Sequence, residues 1–207
     1  MCTRFHIAPG NEAVRDLAPA AQASPLAARF AAAGRPLLLA GDVRPTDVVP
    51  VLAPGRDGAP RPFPMQWGFR LPDGPLLVNA RSETAAVKPA FRDSWLRRRC
   101  AIPATCYYEW EHRPGPSGHT VPGTQYAIRL PDAPVLWLCA LYRMEAGLPV
   151  FAVLTRPAPA PLSDLHPRMP LILPADAIPR WIAPAADPAS LLPLALAGLA
   201  FAPASEP

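Results

Sequence analysis

Lysine is almost absent from this sequence, with Lys88 alone against 19 arginines, and glycine is sparse at 12 residues against 32 prolines. Abundant alanine completes a skew typical of GC-rich coding, so proline and arginine counts carry less structural meaning than usual. No glycine-rich loop suited to cradling phosphates occurs. No apolar run approaches the ~18 residues of a membrane-spanning helix, and the first residues lack the charged-then-apolar pattern of a secretory leader. A soluble, cytoplasmic protein is therefore expected, without a membrane partner. The four cysteines, Cys2, Cys100, Cys106 and Cys139, show neither a CxxC spacing nor the density of a secreted scaffold. That argues against disulfides and a structural zinc, and predicts free thiols with no metal and no cofactor.

What is present is a chain of 207 residues, half of them hydrophobic. That is enough for one substantial core and predicts a single domain over 1–207. The net charge of +4 permits a polyanionic partner without requiring one. Ser24 before Pro25 reads as an N-cap with proline at the first helical position, opening a short helix that stops at Gly34. The preceding alanine-rich stretch is interrupted by Pro19. Residues 36–39, 48–52 and 65–69 read as strands, with 53–64 as a Pro/Gly/Arg-rich loop, and Leu76-Leu77-Val78 runs straight into a polar stretch. A helix is predicted over 91–99, its arginines at the C-terminal end favoured by the helix dipole. Strands follow at 100–103, 126–129, 135–141 and 150–154, with an exposed loop over 111–123, a helix over 176–182 and a partly ordered tail. Many short strands with few helices predict an α+β fold, with curved antiparallel sheets forming a partial barrel flanked by short helices.

Chemistry concentrates at the start. In Met1-Cys2-Thr3-Arg4-Phe5, removal of the initiator methionine gives Cys2 two nucleophiles, an α-amine with a pKa near ~8 and a thiol near ~8.5. The amine can form an imine with an aldehyde, and the thiol can close onto that imine as a five-membered thiazolidine. Three polar stretches stand at strand ends. In 79–84, Asn79 and Arg81 can orient a substrate and neutralise a phosphate, although a plain turn has the same composition. Glu109, among Tyr107, Tyr108 and Trp110, is a carboxylate in aromatic surroundings that raise its pKa towards neutrality. An outward-facing glutamate on an ordinary strand is the simpler alternative. His166 sits in Leu165-His166-Pro167-Arg168-Met169-Pro170, in a backbone stiffened by two prolines.

Read in order, Cys2-Thr3-Arg4-Phe5, Trp67-Gly68, Asn79 to Thr84, Cys100 through Trp110 and His166 to Pro170 resemble the SRAP family of abasic-site processing proteins. The resemblance runs from Cys2 to about Ile182, and Pro203-Ala204-Ser205 is similar to the family's last strand. It implies binding to single-stranded DNA at an abasic site and a covalent thiazolidine cross-link through Cys2, by a monomer acting at the nucleoid if the source is bacterial. It further implies catalytic roles for Cys2, Asn79, Glu109 and His166, with Asn79 orienting the cysteine or sugar, Glu109 shuttling protons and His166 protonating the sugar oxygen. DNA contacts are implied for Arg4, Trp67, Arg81, Thr155 and Arg168, with Trp67 stacking near the lesion. Thr3 and Cys106 stand where the family usually has glycine, and Cys106 is a candidate second thiol at the site. Two other classes fit the same residues: a cysteine peptidase using Cys2 and His166, and a non-covalent single-strand binder relying on arginines and aromatics.

Overall fold

The computed structural model describes residues 2–114 and 119–204. Strand β1 (Phe5–Ile7) leads into helices α1 (Glu12–Ala23) and α2 (Pro25–Ala32). Then come β2 (Gly41–Val43), β3 (Val48–Pro54), β4 (Pro60–Trp67), β5 (Phe69–Arg70), β6 (Leu76–Leu77) and β7 (Asn79–Arg81). Helix α3 (Arg92–Arg97) precedes β8 (Arg99–Ala104), β9 (Cys106–Pro114), β10 (Thr120–Arg129), β11 (Leu136–Glu145) and β12 (Leu148–Pro157). The chain continues through α4 (Leu162–Leu165), β13 (Arg168–Pro170), β14 (Ile172–Leu173), α5 (Ile178–Ile182) and β15 (Ala200–Pro203).

The strands form two main sheets. One runs β15-β10-β9-β1-β2, and the other β13-β12-β4-β3-β8-β11-β14, with β7 added against β12. Because β12 pairs with β11 as well as with β4, the path β12-β4-β3-β8-β11 returns to its start and closes a five-stranded barrel. The strands at 100–103, 135–141 and 150–154 read as nearly continuous apolar runs because both their faces are covered. Cys100, Ile102, Leu136, Leu138, Phe151 and Val153 face a core shared with the five-stranded sheet, which contributes Phe5, Tyr107 and Ile128. The alternate residues Ala101, Cys139, Leu141, Ala152 and Leu154 face a second core, sealed by Trp95 of α3 and Trp181 of α5.

The sequence misleads at its prolines. Helix α1 passes through Pro19, which was read as an interruption; Asn11 caps it by accepting from the Val14 N–H, and Val14, Ala18 and Ala21 are buried. Helix α2 starts as predicted, with the Ser24 side chain accepting from the Leu26 N–H and Pro25 at the first helical position. The supposed loop over 53–64 is mostly a hairpin, since β3 runs to Pro54 and β4 begins at Pro60. Prolines 60, 62 and 64 alternate along β4, and its pairing with β12 begins only at Gln66. Over that stretch the edge away from β3 makes no ladder bonds, so the missing N–H groups leave nothing unpaired. The loop expected over 111–123 is likewise an extended β9–β10 hairpin, of which 115–118 lie outside the described residues. Of 36–39 only a single bridge from Leu37 to Val48 remains. The tail carries a 3-10 helix (Pro188–Leu194) and strand β15, paired with β10 from Tyr126 to Arg129. Of the expected last strand, Pro203 belongs to β15, Ala204 donates its N–H to Gln125 O, and Ser205 lies outside the described residues. Among the described residues no helix is long and apolar enough to cross a membrane.

Candidate functional site

Strand β1 lies between β2 and β9, with Phe5 opposite Tyr107 and the Tyr108 N–H donating to Arg4 O at 3.0 Å. This antiparallel register carries the residues before Phe5 along the part of β9 that holds Glu109. Cys2 is 1% exposed there, and its Sγ lies 3.6 Å from Arg4 O. Asn79 comes from the other sheet, where β7 runs parallel to β12 with Asn79 opposite Val153, and its Nδ2 donates to Cys2 O at 2.8 Å. Glu109 is buried on the same face of β9 as Tyr107. Burial pushes its pKa up to about 7, so it exchanges a proton at neutral pH. Burial and the neighbouring Glu109 charge push the Cys2 thiol far above its ordinary value, so the resting thiol is protonated.

His166 follows α4, buried, with its Nδ1 2.8 Å from Arg168 O and 3.0 Å from Arg168 N. Its ring meets that of His112 on β9 edge-on, with centroids 4.8 Å apart. Burial lowers its pKa, which leaves a neutral imidazole at neutral pH. Arg168, two residues on, is engaged by Glu83 through both terminal nitrogens, one contact at 2.9 Å, and donates to Thr155 O at 2.8 Å and Thr155 Oγ1 at 3.1 Å. The Arg168 hydrogen bonds hold the Glu83 carboxyl at about 2. Arg4 is paired with Asp42, donates to Gln125 Oε1 at 3.2 Å and lies 4.5 Å over the Tyr108 ring. Arg81 is exposed at the end of β7.

Three sequence expectations need correction. Trp67 has no exposed surface: it packs between Phe5 and Phe151, and its indole N–H donates to Val78 O at 2.8 Å. It is a core residue with no face to offer a base. Gly68 follows because φ is +117° there and a Cβ would collide with Leu76. Thr155 is 1% exposed, with its hydroxyl against Arg168 and Ala80 O, so it positions Arg168 rather than meeting DNA. Cys106 lies with Tyr108 and Trp110 on the face of β9 opposite Glu109, and is not a second thiol of the Cys2 pocket. Thr3 is exposed.

That opposite face supplies what the sequence reading passed over. Trp110, 47% exposed, joins Arg4, His6, Asp42, Tyr108 and Gln125 around a groove of about 900 Å³. Strict alternation along β9, Tyr107 and Glu109 inward and Tyr108 and Trp110 outward, was the available signal. The candidate site and its surroundings also have unused hydrogen-bonding capacity. Arg4 Nε, Asn79 Oδ1, the Tyr107 hydroxyl and Arg168 Nε are buried and make no hydrogen bond among the described residues. Native proteins rarely leave such atoms unpaired; Asn79 and Tyr107 place two of them beside Cys2, while Arg4 lines the groove on the opposite face and Arg168 lies with Glu83 and Thr155. Among the described residues no cluster of three or more His, Cys, Asp or Glu is arranged to hold a metal.

The chain is 31% identical over 131 residues to the abasic site processing protein YoaM of Bacillus subtilis, covering 58% of this chain and 56% of that protein. It is 27% identical over 125 residues to the abasic site processing protein YedK of Escherichia coli, covering 58% and 54%. The chain thus spans little more than half the length of the curated relatives it matches. Among solved structures, a phage-related protein of Bordetella bronchiseptica superposes with a TM-score of 0.74 at 22% identity, over 99% of this chain and 95% of the other. A second protein of that organism gives 0.70 at 23%, over 99% and 100%. At these identities the structural likeness carries the fold. Residues 1–202 match the family described as SOS response associated peptidase, and the chain belongs to that SRAP family.

Proposed function

We propose that the protein binds single-stranded DNA at an abasic site and, once Met1 is removed, becomes covalently linked to it through Cys2. The observation that carries this reading is a buried cysteine whose carbonyl is held by Asn79, with unbonded polar atoms on Asn79 and Tyr107 beside it and on Arg4 and Arg168 in neighbouring elements. A ring-opened abasic sugar brings an aldehyde carbon, hydroxyls and flanking phosphates, which match those donors and acceptors. The relatives named abasic site processing proteins support the same substrate.

The chemistry balances without an external oxidant. The Cys2 amine adds to the aldehyde carbon, and loss of one water gives an imine. The thiol sulfur then adds to the imine carbon while its proton passes to the nitrogen, closing the thiazolidine. A carboxyl with a pKa of about 7 suits both halves, donating for water loss and accepting from the thiol. The bond from Asn79 to Cys2 O fixes the backbone that bears both nucleophiles. His166, held neutral by burial, would lie beside the sugar and assist the opening of its ring. Arg81, Arg4 and Arg168 would take phosphates, and the exposed face of Trp110 would stack on a base.

The test is incubation with single-stranded DNA bearing one abasic site, followed by denaturing electrophoresis and intact mass. The native chain should lack Met1 and give a species heavier by the mass of the DNA less one water. Cys2→Ala should give none, and Glu109→Gln should slow the reaction by about 100-fold to 10,000-fold. Equal cross-linking by Cys2→Ala would sink the proposal.

A further inference from the structure

Two of the three arginines that stand two residues from a catalytic candidate are already neutralised. Arg4, two residues from Cys2, is paired with Asp42, and Arg168, two residues from His166, is held at both terminal nitrogens by Glu83. Asp42 is held twice, by Arg4 through Oδ2 and by His6 Nδ1 at 2.9 Å through Oδ1. Burial alone would raise the Asp42 pKa, but the His6 and Arg4 hydrogen bonds outweigh it and keep the carboxylate ionised. Each guanidinium also retains a buried Nε with no hydrogen bond among the described residues. The carboxylates therefore occupy part of the donor fork and leave the rest unsatisfied, which is the arrangement of a stand-in ligand.

We propose that Asp42 and Glu83 are specificity-determining residues: resident anions that occupy the phosphate positions on Arg4 and Arg168 and must be displaced by the DNA backbone. This inference rests on single-stranded DNA being the ligand. Asp42 can leave Arg4 without losing its hold on the protein, because its other oxygen stays on His6. Glu83 has Ser82 Oγ at 3.2 Å as its remaining partner. Each phosphate captured thus frees a carboxylate that attracts a cation back, cancelling the counterion release that drives indiscriminate binding to polyanions. The consequence is weak hold on intact strands, so that retention depends on the covalent chemistry at Cys2.

The distinguishing measurement is the salt dependence of binding to an intact, fluorescently labelled single strand, which cannot cross-link. Asp42→Asn should tighten binding about fivefold, the worth of one partly exposed ion pair, and steepen the slope of log K against log salt by about 0.7, the single-strand value for one more phosphate. Glu83→Gln should do the same independently, and the double variant should steepen the slope by about twice as much. Unchanged or weaker binding with an unchanged slope in both single variants would overturn the inference. If that occurs while native protein cross-links abasic strands, the resident-anion role fails alone. Steeper slopes in a protein that never cross-links would remove the Cys2 chemistry and leave this inference standing.

Discussion

Replacing Glu109 by glutamine should stabilise the protein, and the gain should depend on pH. The Glu109 pKa is raised in the fold from 4.5 to about 7, with burial as its leading cause. The folded protein therefore binds this proton more tightly than the unfolded chain does. A raised folded pKa gives stability that is full below the unfolded value of 4.5 and is lost as pH rises through 7. At about 1.4 kcal/mol per pH unit, the loss relative to a permanently neutral isostere is about 1 kcal/mol at pH 5 and about 3 kcal/mol at pH 8. Glutamine keeps the shape and never ionises, so Glu109→Gln should exceed the native protein by those amounts. With a urea m-value of about 2–3 kcal/mol per molar, the pH 8 midpoint should move up by about 1 M and the pH 5 midpoint by a few tenths. Equilibrium urea unfolding followed by tryptophan fluorescence at the two pH values measures both. An equal shift at pH 5 and pH 8, or a less stable variant at pH 8, would refute the assignment of Glu109 as a buried, destabilising acid. The same substitution removes the proton carrier, so stability and cross-linking should move in opposite directions.

Arg99 is buried and donates to the carbonyls of Trp95, Leu96, Trp181, Ala183 and Ala186, joining the ends of α3 and α5. Arg99→Met should cost about 3–5 kcal/mol in urea unfolding because those oxygens lose their donor, and Arg99→Lys should recover only part of it. The two motif tryptophans should separate cleanly. Trp67→Ala should lose about 3–5 kcal/mol of stability, whereas Trp110→Ala should leave the urea midpoint nearly unchanged and weaken single-strand binding by about 1 kcal/mol or more.

Much of this fold was legible where side chains report burial directly. The doubly covered barrel strands announced themselves as apolar runs, and Ser24-Pro25 marked a helix start. What could not be read was the context that lets a proline remain inside an element. Pro19 is tolerated by a capped helix packed on β3 and β4, and the prolines of β4 by an edge that takes no ladder bonds there. At the candidate site, residue types were enough to single out Cys2, Asn79 and Glu109 as candidates, because a nucleophile, an amide and a carboxylate among aromatics are recognisable in one dimension. Partnership was not. Nothing in the order of residues says that Asp42 reaches Arg4, that Glu83 reaches Arg168, or that Trp67 turns inward while Trp110 turns outward.

The two-sheet origin of the pocket makes it a gauge of how the sheets sit on each other. Cys2 and Glu109 ride on the five-stranded sheet, while Asn79 and His166 ride on elements joined to β12 of the barrel. Between these halves lies a shared core that includes Phe5, Trp67, Tyr107 and Phe151. A lost methylene there lets one half settle by a fraction of an ångström, far too little to unfold the chain but enough to lengthen the 2.8 Å bond from Asn79 to Cys2 O. Conservative trimming of that core, such as Phe151→Leu, should therefore be felt first as sluggish chemistry and only later as lost structure. Aromatic bulk far from any substrate becomes the spacer that keeps the reacting groups in register.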